Sequence, residues 1–371
     1  MVLARRIFLR VQKLKSRVIL YAPNIHVGGG AILLQSLIKN WPKDHTFLCY
    51  FDARASASLD FEDECNVSWV RPTIMGRLRA EASLSRVASA DDVIIFFNSL
   101  PPLFGVRARV ILFLQNRNLV EKIALRSFRF KQALRICIER SLLYFFRSRV
   151  DEYIVQTDSF KRAVIKWHSR KSAKSDIAIT VFPFMESKKL ILNSILENPK
   201  RQYDFIYVAD GLAQKNHLAL FDAWELLAEE GFFPHLAVTL PNTETHLLNK
   251  VNELRKLGLN ITNLGWLPHS ELVLHYKVSG ALIFPSLRES FGLPLVEATK
   301  LKVPILASEL DFVYDVCQPA ETFDPKSPRS IARAVKRFKN ISTSIRKVQD
   351  PAAFVDYIIQ SSIDVSECTN D

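Results

Sequence analysis

Two carboxylates, Glu289 and Glu297, stand eight positions apart in the run Pro285-Ser286-Leu287-Arg288-Glu289-Ser290-Phe291-Gly292-Leu293-Pro294-Leu295-Val296-Glu297-Ala298. Carboxylates accept hydrogen bonds from hydroxyls, the groups that a sugar or a ribose presents. Residues 281–284 read as a buried strand, and residues 293 to about 301 as a helix. Pro294 falls in its first turn, where a missing N–H costs nothing. Glu289 then lies in the strand-to-helix loop and Glu297 about one turn inside the helix. Between them, the amides of Ser290, Phe291, Gly292 and Leu293 stand at the positive end of a helix dipole, a ready place for a phosphate. A phosphate site flanked by two hydroxyl-binding carboxylates suits a nucleotide-sugar.

This spacing resembles the E-x7-E motif of the retaining glycosyltransferases of family 4, which have the GT-B fold. Two glutamates at this distance would alone read equally well as a capping residue and a surface residue, so the neighbours matter. Upstream, Asn263-Leu264-Gly265-Trp266-Leu267 followed by Glu271-Leu272 is similar to the family's "G-x-v, e-L" segment. Downstream, Lys302-Val303-Pro304-Ile305-Leu306-Ala307-Ser308 is similar to its "G-x-P-V-v-a-s" segment.

The resemblance implies further site residues. Asp210-Gly211-Leu212-Ala213-Gln214-Lys215-Asn216-His217 sits where the family ends a strand in Gly-Arg and then places a lysine, both cations holding the donor diphosphate. Lys215 fits the lysine, while Ala209 and Asp210 replace the Gly-Arg pair; Arg288 or Arg117 is the candidate substitute. Gly28-Gly29-Gly30 resembles the family's glycine loop, with Gly29 and Gly30 near donor phosphate and acceptor, because a backbone without Cβ atoms admits a close approach. His26, just before it, reads either as a substrate contact or as an exposed loop histidine. In Leu112-Phe113-Leu114-Gln115-Asn116-Arg117, Gln115 or Asn116 stands where family members often carry a histidine. An amide binds a hydroxyl but does not titrate near neutral pH, which fits binding rather than proton transfer.

The implied mechanism gives each residue a role. Glu297 holds the donor ribose, the amides of residues 290–293 and Lys215 hold the diphosphate, and Glu289 grips the donor sugar. Departure of the diphosphate leaves an oxocarbenium-like centre, which the acceptor attacks from the leaving-group side, so anomeric configuration is retained. There is no D-x-D pair; Glu62-Asp63-Glu64 reads as an acidic surface turn. No metal and no cofactor beyond the nucleotide-sugar co-substrate is required by these residues.

The elements that must position these groups alternate strand with helix, the pattern of parallel α/β sheets. Strands are expected at residues 17–22, 46–51, 92–97, 110–114 and 152–156, then at 203–209, 236–240, 261–264 and 281–284. The glycines at 28–30 read as a loop before a helix at 31–41. The reading is an α/β, GT-B architecture of two Rossmann-like domains facing a central cleft, with ligands at the carboxyl ends of the strands. The acceptor-side domain takes residues 1–186, a polar linker 187–202, the nucleotide-sugar domain 203–340, and a final helix and tail 341–371. A helix near 352–360 crosses back to the first domain if the resemblance holds.

Hydrophobic residues make up 48% of the 371, enough for each half to bury a core. Five scattered cysteines without a C-x-x-C pair point to a reducing compartment, with neither a disulfide framework nor a zinc site. No apolar run reaches bilayer-spanning length, and residues 1–10 are broken by charge too early for a signal peptide. A cytoplasmic enzyme, peripheral on the inner face of the cell membrane, is therefore expected. The charge is lopsided: residues 1–200 hold 33 Lys+Arg against 17 Asp+Glu, a balance of +16, whereas residues 201–371 hold 17 against 21, a balance of −4. Residues 122–149 interleave arginines, among them Arg126, Arg129, Arg135, Arg140, Arg147 and Arg149, with aromatic and aliphatic side chains. They read either as an amphipathic helix for an anionic membrane or as core residues backed by a solvated face. No groove-reading or stacking motif supports nucleic acid. The resulting expectation is transfer of a sugar to a lipid-linked glycan in polysaccharide or O-antigen assembly. A catalytically silent GT-B protein that binds a nucleotide-sugar or a partner enzyme is the alternative; a GT-B epimerase or phosphorylase is a further one.

Overall fold

A computed structural model describes residues 17–42, 47–59, 66–123, 125, 128, 130–169, 177–185 and 200–341. The first sheet is built from β1 (Val18–Ala22), β2 (Phe47–Asp52), β3 (Asn66–Val70), β4 (Val93–Phe96), β5 (Arg109–Phe113), β6 (Glu152–Val155) and β7 (Ala178–Val181), all parallel, in the order β3-β2-β1-β4-β5-β6-β7. Helices α1 (Gly28–Lys39), α2 (Ile74–Val87), α3 (Phe130–Phe146) and α4 (Asp158–Ser169) connect or flank these strands. The period of two along β1 feeds two cores. Ile19 and Tyr21 join one apolar cluster and Leu20 and Ala22 another, so both faces of the sheet are covered.

The second sheet contains β8 (Tyr203–Tyr207), β9 (Leu236–Val238), β10 (Ile261–Asn263), β11 (Ser279–Phe284), β12 (Ile305–Ser308) and β13 (Glu321–Phe323), again parallel, in the order β10-β9-β8-β11-β12-β13. Its helices are α5 (His217–Glu229), α6 (Thr245–Lys256), α7 (His269–Lys277), α8 (Leu293–Lys300), α9 (Asp311–Tyr314) and α10 (Pro328–Phe338). Every residue of β11 is buried, as a central strand of a parallel sheet requires. Trp224 of α5 closes this core edge-on against Phe205, and its indole N–H is satisfied by the Pro234 carbonyl at 2.9 Å.

Strand order reverses between β1 and β4 in the first sheet and between β8 and β11 in the second. A doubly wound sheet opens a crevice at the carboxyl ends of such strands. The chain places Gly28, Ser99, Lys215 and Glu289 just after β1, β4, β8 and β11 respectively.

The structure differs from the expected elements at the start of α1 and at four strands. α1 starts at Gly28, so the glycines form its first turn rather than the loop before it. β3, β7, β12 and β13 were not anticipated. β3, β7 and β13 are each the last strand on an edge of a sheet, so burial imposes little pattern on them, whereas β12 is internal and buried and was read only as part of a segment resembling the family's. The acidic turn at 62–64, Arg126 and Arg129, residues 187–199 of the expected linker and the helix expected near 352–360 lie outside the described residues, as do residues 1–16. Among the described residues no helix is long and apolar enough to cross a membrane.

Candidate active site

The loop after β8 is held by its own backbone and by the loop after β11. Asn216 takes a left-handed conformation (φ 63°), which asparagine tolerates, and precedes the first turn of α5. Its amide donates to the carbonyls of Pro285 at 3.1 Å and Pro325 at 2.6 Å, tying three strand ends together. Leu287 N–H donates to the Gln214 carbonyl at 2.8 Å, and the buried Tyr207 hydroxyl donates to the Lys215 carbonyl at 2.5 Å. Lys215 is therefore fixed by backbone contacts on both sides of its side chain.

That side chain meets the motif. Lys215 Nζ lies 2.8 Å from Glu289 Oε1 and 3.0 Å from Oε2, and both side chains are largely shielded from water. Burial alone pushes the ammonium down; the charges of Glu289 and then Asp210, with the Glu289 hydrogen bond, outweigh it and leave the pKa raised. The lysine is thus a permanent cation. Asp210 contributes a negative field beside it, at the position where the resemblance expects a cation.

Glu297 is the fifth residue of α8 and only 3% exposed. The buried Tyr276 hydroxyl donates to Oε2 at 2.9 Å, and His269 Nε2 lies 3.0 Å from Oε1. Burial, followed by the Glu297 charge, holds the Tyr276 phenol well above its ordinary pKa, so it stays a donor.

Two helix starts converge across the cleft. Gly292, with φ 82°, supplies the left-handed residue before α8, a conformation that suits glycine. Neither α1 nor α8 has a side-chain cap. A Cβ on Gly29 would stand 3.0 Å from Leu293 Cδ1, so the first turns of the two helices touch. A Cβ on Gly30 would stand 3.1 Å from Gln115 Oε1. Gln115 is itself held by its amide group's donation to the Phe97 carbonyl at 2.6 Å and by Ser99 Oγ, which accepts from its backbone N–H at 2.8 Å. On the other side of α1, the fully buried Asp52 accepts from Asn24 N–H at 2.9 Å and from Arg54. Burial raises its pKa, but these hydrogen bonds prevail and bring it to about 2, so the carboxylate anchors the loop entering α1 at any working pH.

A second set of contacts bridges the domains beside the motif. Glu121 takes Arg117 Nε at 2.7 Å on one oxygen and Arg288 Nε at 2.8 Å on the other. Arg288 also donates to Asn118 Oδ1 at 3.2 Å. Arg117 donates its backbone N–H to Ser290 Oγ at 3.1 Å and its guanidinium to the Glu289 carbonyl at 3.3 Å. Thr157 donates to the Ser290 carbonyl at 3.3 Å, and Ser159 N–H to Asp315 at 2.9 Å.

Residues 190–353 match the family model described as "Glycosyl transferases group 1". This stretch is similar to group 1 glycosyl transferases. Over 138 residues the chain is 30% identical to the serotype-specific mannosyltransferase WbdA of Escherichia coli, a match covering 36% of this chain and 17% of WbdA. Over 201 residues it is 26% identical to the O-antigen chain mannosyltransferase RfbU of Salmonella typhimurium, covering 50% of this chain and 54% of that protein. The chain thus spans about a sixth of one of these relatives and about half of the other. Among solved structures, the α,α-trehalose-phosphate synthase (UDP-forming) of Burkholderia vietnamiensis superposes with a TM-score of 0.63 at 15% identity, covering 89% of this chain and 90% of that one. Anabaena Alr3699/HepE in complex with UDP and glucose superposes with a TM-score of 0.57 at 13% identity, covering 87% and 89%. These likenesses establish the GT-B fold of two parallel-sheet α/β domains.

The loops after β8 and β11 bring together Lys215, Glu289, Ser290 and Arg288, and the start of α8 sets Leu293 against Gly29. Gln115 joins them through Gly30. Glu297 is held from the side by α7. Arg288 and Arg117, the candidate replacements for the missing arginine, have their guanidinium groups engaged by Glu121, Arg288 from across the contact between the domains and Arg117 from within the first one. Asn116 uses its side-chain oxygen on its own backbone, accepting from Asn118 N–H at 3.1 Å. His26 is half-buried rather than exposed, and its Nδ1 is enclosed without a hydrogen-bond partner among the described residues. Sequence reasoning missed His269 and Tyr276. Their separation of seven, two helical turns, put both on the Glu297 side of α7, but that signal exists only once the helix is known.

Proposed function

We propose that this chain is a retaining glycosyltransferase that moves a sugar from a nucleotide-sugar donor to a glycan acceptor in cell-surface polysaccharide assembly. The observation that carries this reading is the meeting of two uncapped helix starts, α1 and α8, close to a Lys215–Glu289 pair at 2.8 Å. Helix N-termini attract phosphate, and a fixed ammonium offsets the charge that grows on a departing diphosphate. In this mechanism the bond between the anomeric carbon and the phosphate oxygen breaks while the acceptor oxygen bonds to the same face of that carbon. The acceptor's proton passes to the released phosphate oxygen. Glu289 binds donor-sugar hydroxyls, Glu297 the ribose, and Gln115 with Gly29 and Gly30 line the opposite wall. Domain contacts through Glu121 exclude water and limit hydrolysis. The mannosyltransferase relatives favour a nucleotide-activated mannose, and RfbU favours an O-antigen-like, lipid-linked acceptor.

A membrane-facing acceptor agrees with the surface of α3. Three of its neighbourhood's arginines turn inward: Arg140 to the Asn118 and Glu121 carbonyls, Arg147 to the Tyr144 carbonyl, and Arg149 to the Pro102 and Leu103 carbonyls. The outward face carries Phe130, Leu134, Ile138 and Phe145, all at least half exposed, beside Lys131 and Arg135. Spacings of four and seven residues line these apolar groups along one side of the helix, as in a segment that lies on an anionic bilayer.

Asp210 favours a second reading, a GT-B protein that binds a nucleotide-sugar without turning it over, because an anion stands beside Lys215. The test is incubation with UDP- and GDP-linked sugars and a lipid-linked glycan, following nucleoside diphosphate release and the anomeric configuration of the product. Transfer with retention supports the first reading. Donor binding without transfer, restored by Asp210→Arg, supports the second, and transfer with inversion overturns the mechanism.

A further inference from the structure

One helix grips both oxygens of the buried carboxylate in the motif. Tyr276 and His269 sit two turns apart on α7. The tyrosine donates to Glu297 Oε2 from a fully buried position, and the histidine meets Oε1 with its side chain 29% exposed. A carboxylate has about four lone-pair directions, and these two donors use only two of them. The Tyr276 side is sealed by the core. Any hydroxyl that reaches Glu297 from solvent must therefore arrive beside His269.

We infer that His269 is a positioning residue of the ribose subsite, resting on the donor-site reading above. It holds the Glu297 carboxylate edge in one orientation, so that the open lone pairs on Oε1 face the vicinal hydroxyls of the donor ribose. The histidine lies at the start of α7, directly after Pro268, whose fixed φ limits the backbone that enters the helix. Without the imidazole, Glu297 keeps Tyr276 on one oxygen and is free to swing the other. The loss falls on ligands that use this oxygen, and not on those that lack the hydroxyls.

The test is calorimetric binding of UDP and GDP, and of their 2′,3′-dideoxy counterparts, to the wild-type chain and to His269→Ala, His269→Gln and His269→Phe. A hydrogen bond to a charged group predicts that His269→Ala weakens the preferred ribonucleotide about tenfold and the dideoxy form less than about twofold. His269→Gln, which keeps an N–H donor, stays within about threefold of wild type. His269→Phe fills the space without a donor and repeats the alanine result should the alanine variant not fold. Equal weakening of both nucleotide forms, or no weakening, overturns the inference while leaving the donor site standing. Failure of the wild-type chain to bind any of the four overturns the donor-site reading itself, and this inference with it.

Discussion

Lys215 and Glu289 are worth more as a pair than either is alone. At 2.8 Å and with limited access to water, the ammonium and carboxylate offset each other's desolvation; removing one partner leaves the other charge enclosed. Lys215→Met is accordingly expected to destabilise the chain by about 3 kcal/mol, the low end for a buried pair because some water reaches this one. Lys215→Met with Glu289→Gln should recover most of that loss in urea unfolding, while sugar transfer stays at least about a hundredfold below wild type in both. A single variant as stable as wild type would contradict the shielded-pair reading. The same pair shows what a residue pattern can disclose. Glu289, Glu297 and Lys215 stood out as candidates because their chemistry is unusual for their local element: carboxylates around a helix start and a lysine in a strand-end loop. Arg288 looked equivalent in sequence, yet its guanidinium is taken by Glu121, 167 positions earlier in the chain. Such a pairing depends on how the domains meet, which no local spacing encodes.

At the scale of elements, the first turn of α5 carries a pH liability. His217 is 3% exposed and packs at a tilt against Tyr207 with ring centroids 4.7 Å apart, and neither of its ring nitrogens has a hydrogen-bond partner among the described residues. Burial, and then the Lys215 charge, push it from 6.5 down to about 3. The unfolded chain therefore binds a proton that the folded chain refuses between about pH 6.5 and pH 3. Stability from this group is intact above pH 6.5 and falls as pH is lowered through that window. Urea unfolding at a series of pH values should show this acid loss reduced in His217→Phe, which keeps the ring and removes the titration. Identical slopes in the two proteins would contradict it. The alternation of strand and helix was readable for strands whose burial makes apolar runs, as in residues 205–207 of β8 and 281–284 of β11. The edge strands β3, β7 and β13 escaped for the converse reason, while β10, also at an edge, was expected and β12, internal and buried, was read only as part of a segment resembling the family's. The start of α1 was misjudged because three glycines are poor helix formers; here the helix begins among them, and Gly29 makes room for Leu293.

Across the whole molecule, charge and apolar surface divide the labour between the two domains. The first half carries the +16 balance and the exposed stripe of α3, while the second carries −4 and the motif. If α3 docks on a bilayer through its apolar stripe, replacing Phe130, Ile138 and Phe145 together with serine should cut sedimentation with phosphatidylglycerol-containing vesicles at least about tenfold, because each buried aromatic contributes about 1.5–3 kcal/mol. Exchange of the inward-facing Arg147 should change it little. Equal sedimentation of the triple variant would contradict docking by this face. The domains themselves are held together at the cleft by Glu121, Ser290 and Asp315, and the groups assigned to the donor lie within that contact zone. The most direct measurement of the central claim is the thermal shift of the purified protein with UDP, GDP and their sugar conjugates, alongside Glu297→Ala and Lys215→Met. Stabilisation by one nucleotide series, reduced in both variants, is the predicted result. A folded protein that no nucleotide stabilises, or one stabilised equally in all three forms, would contradict a donor site between α1 and α8.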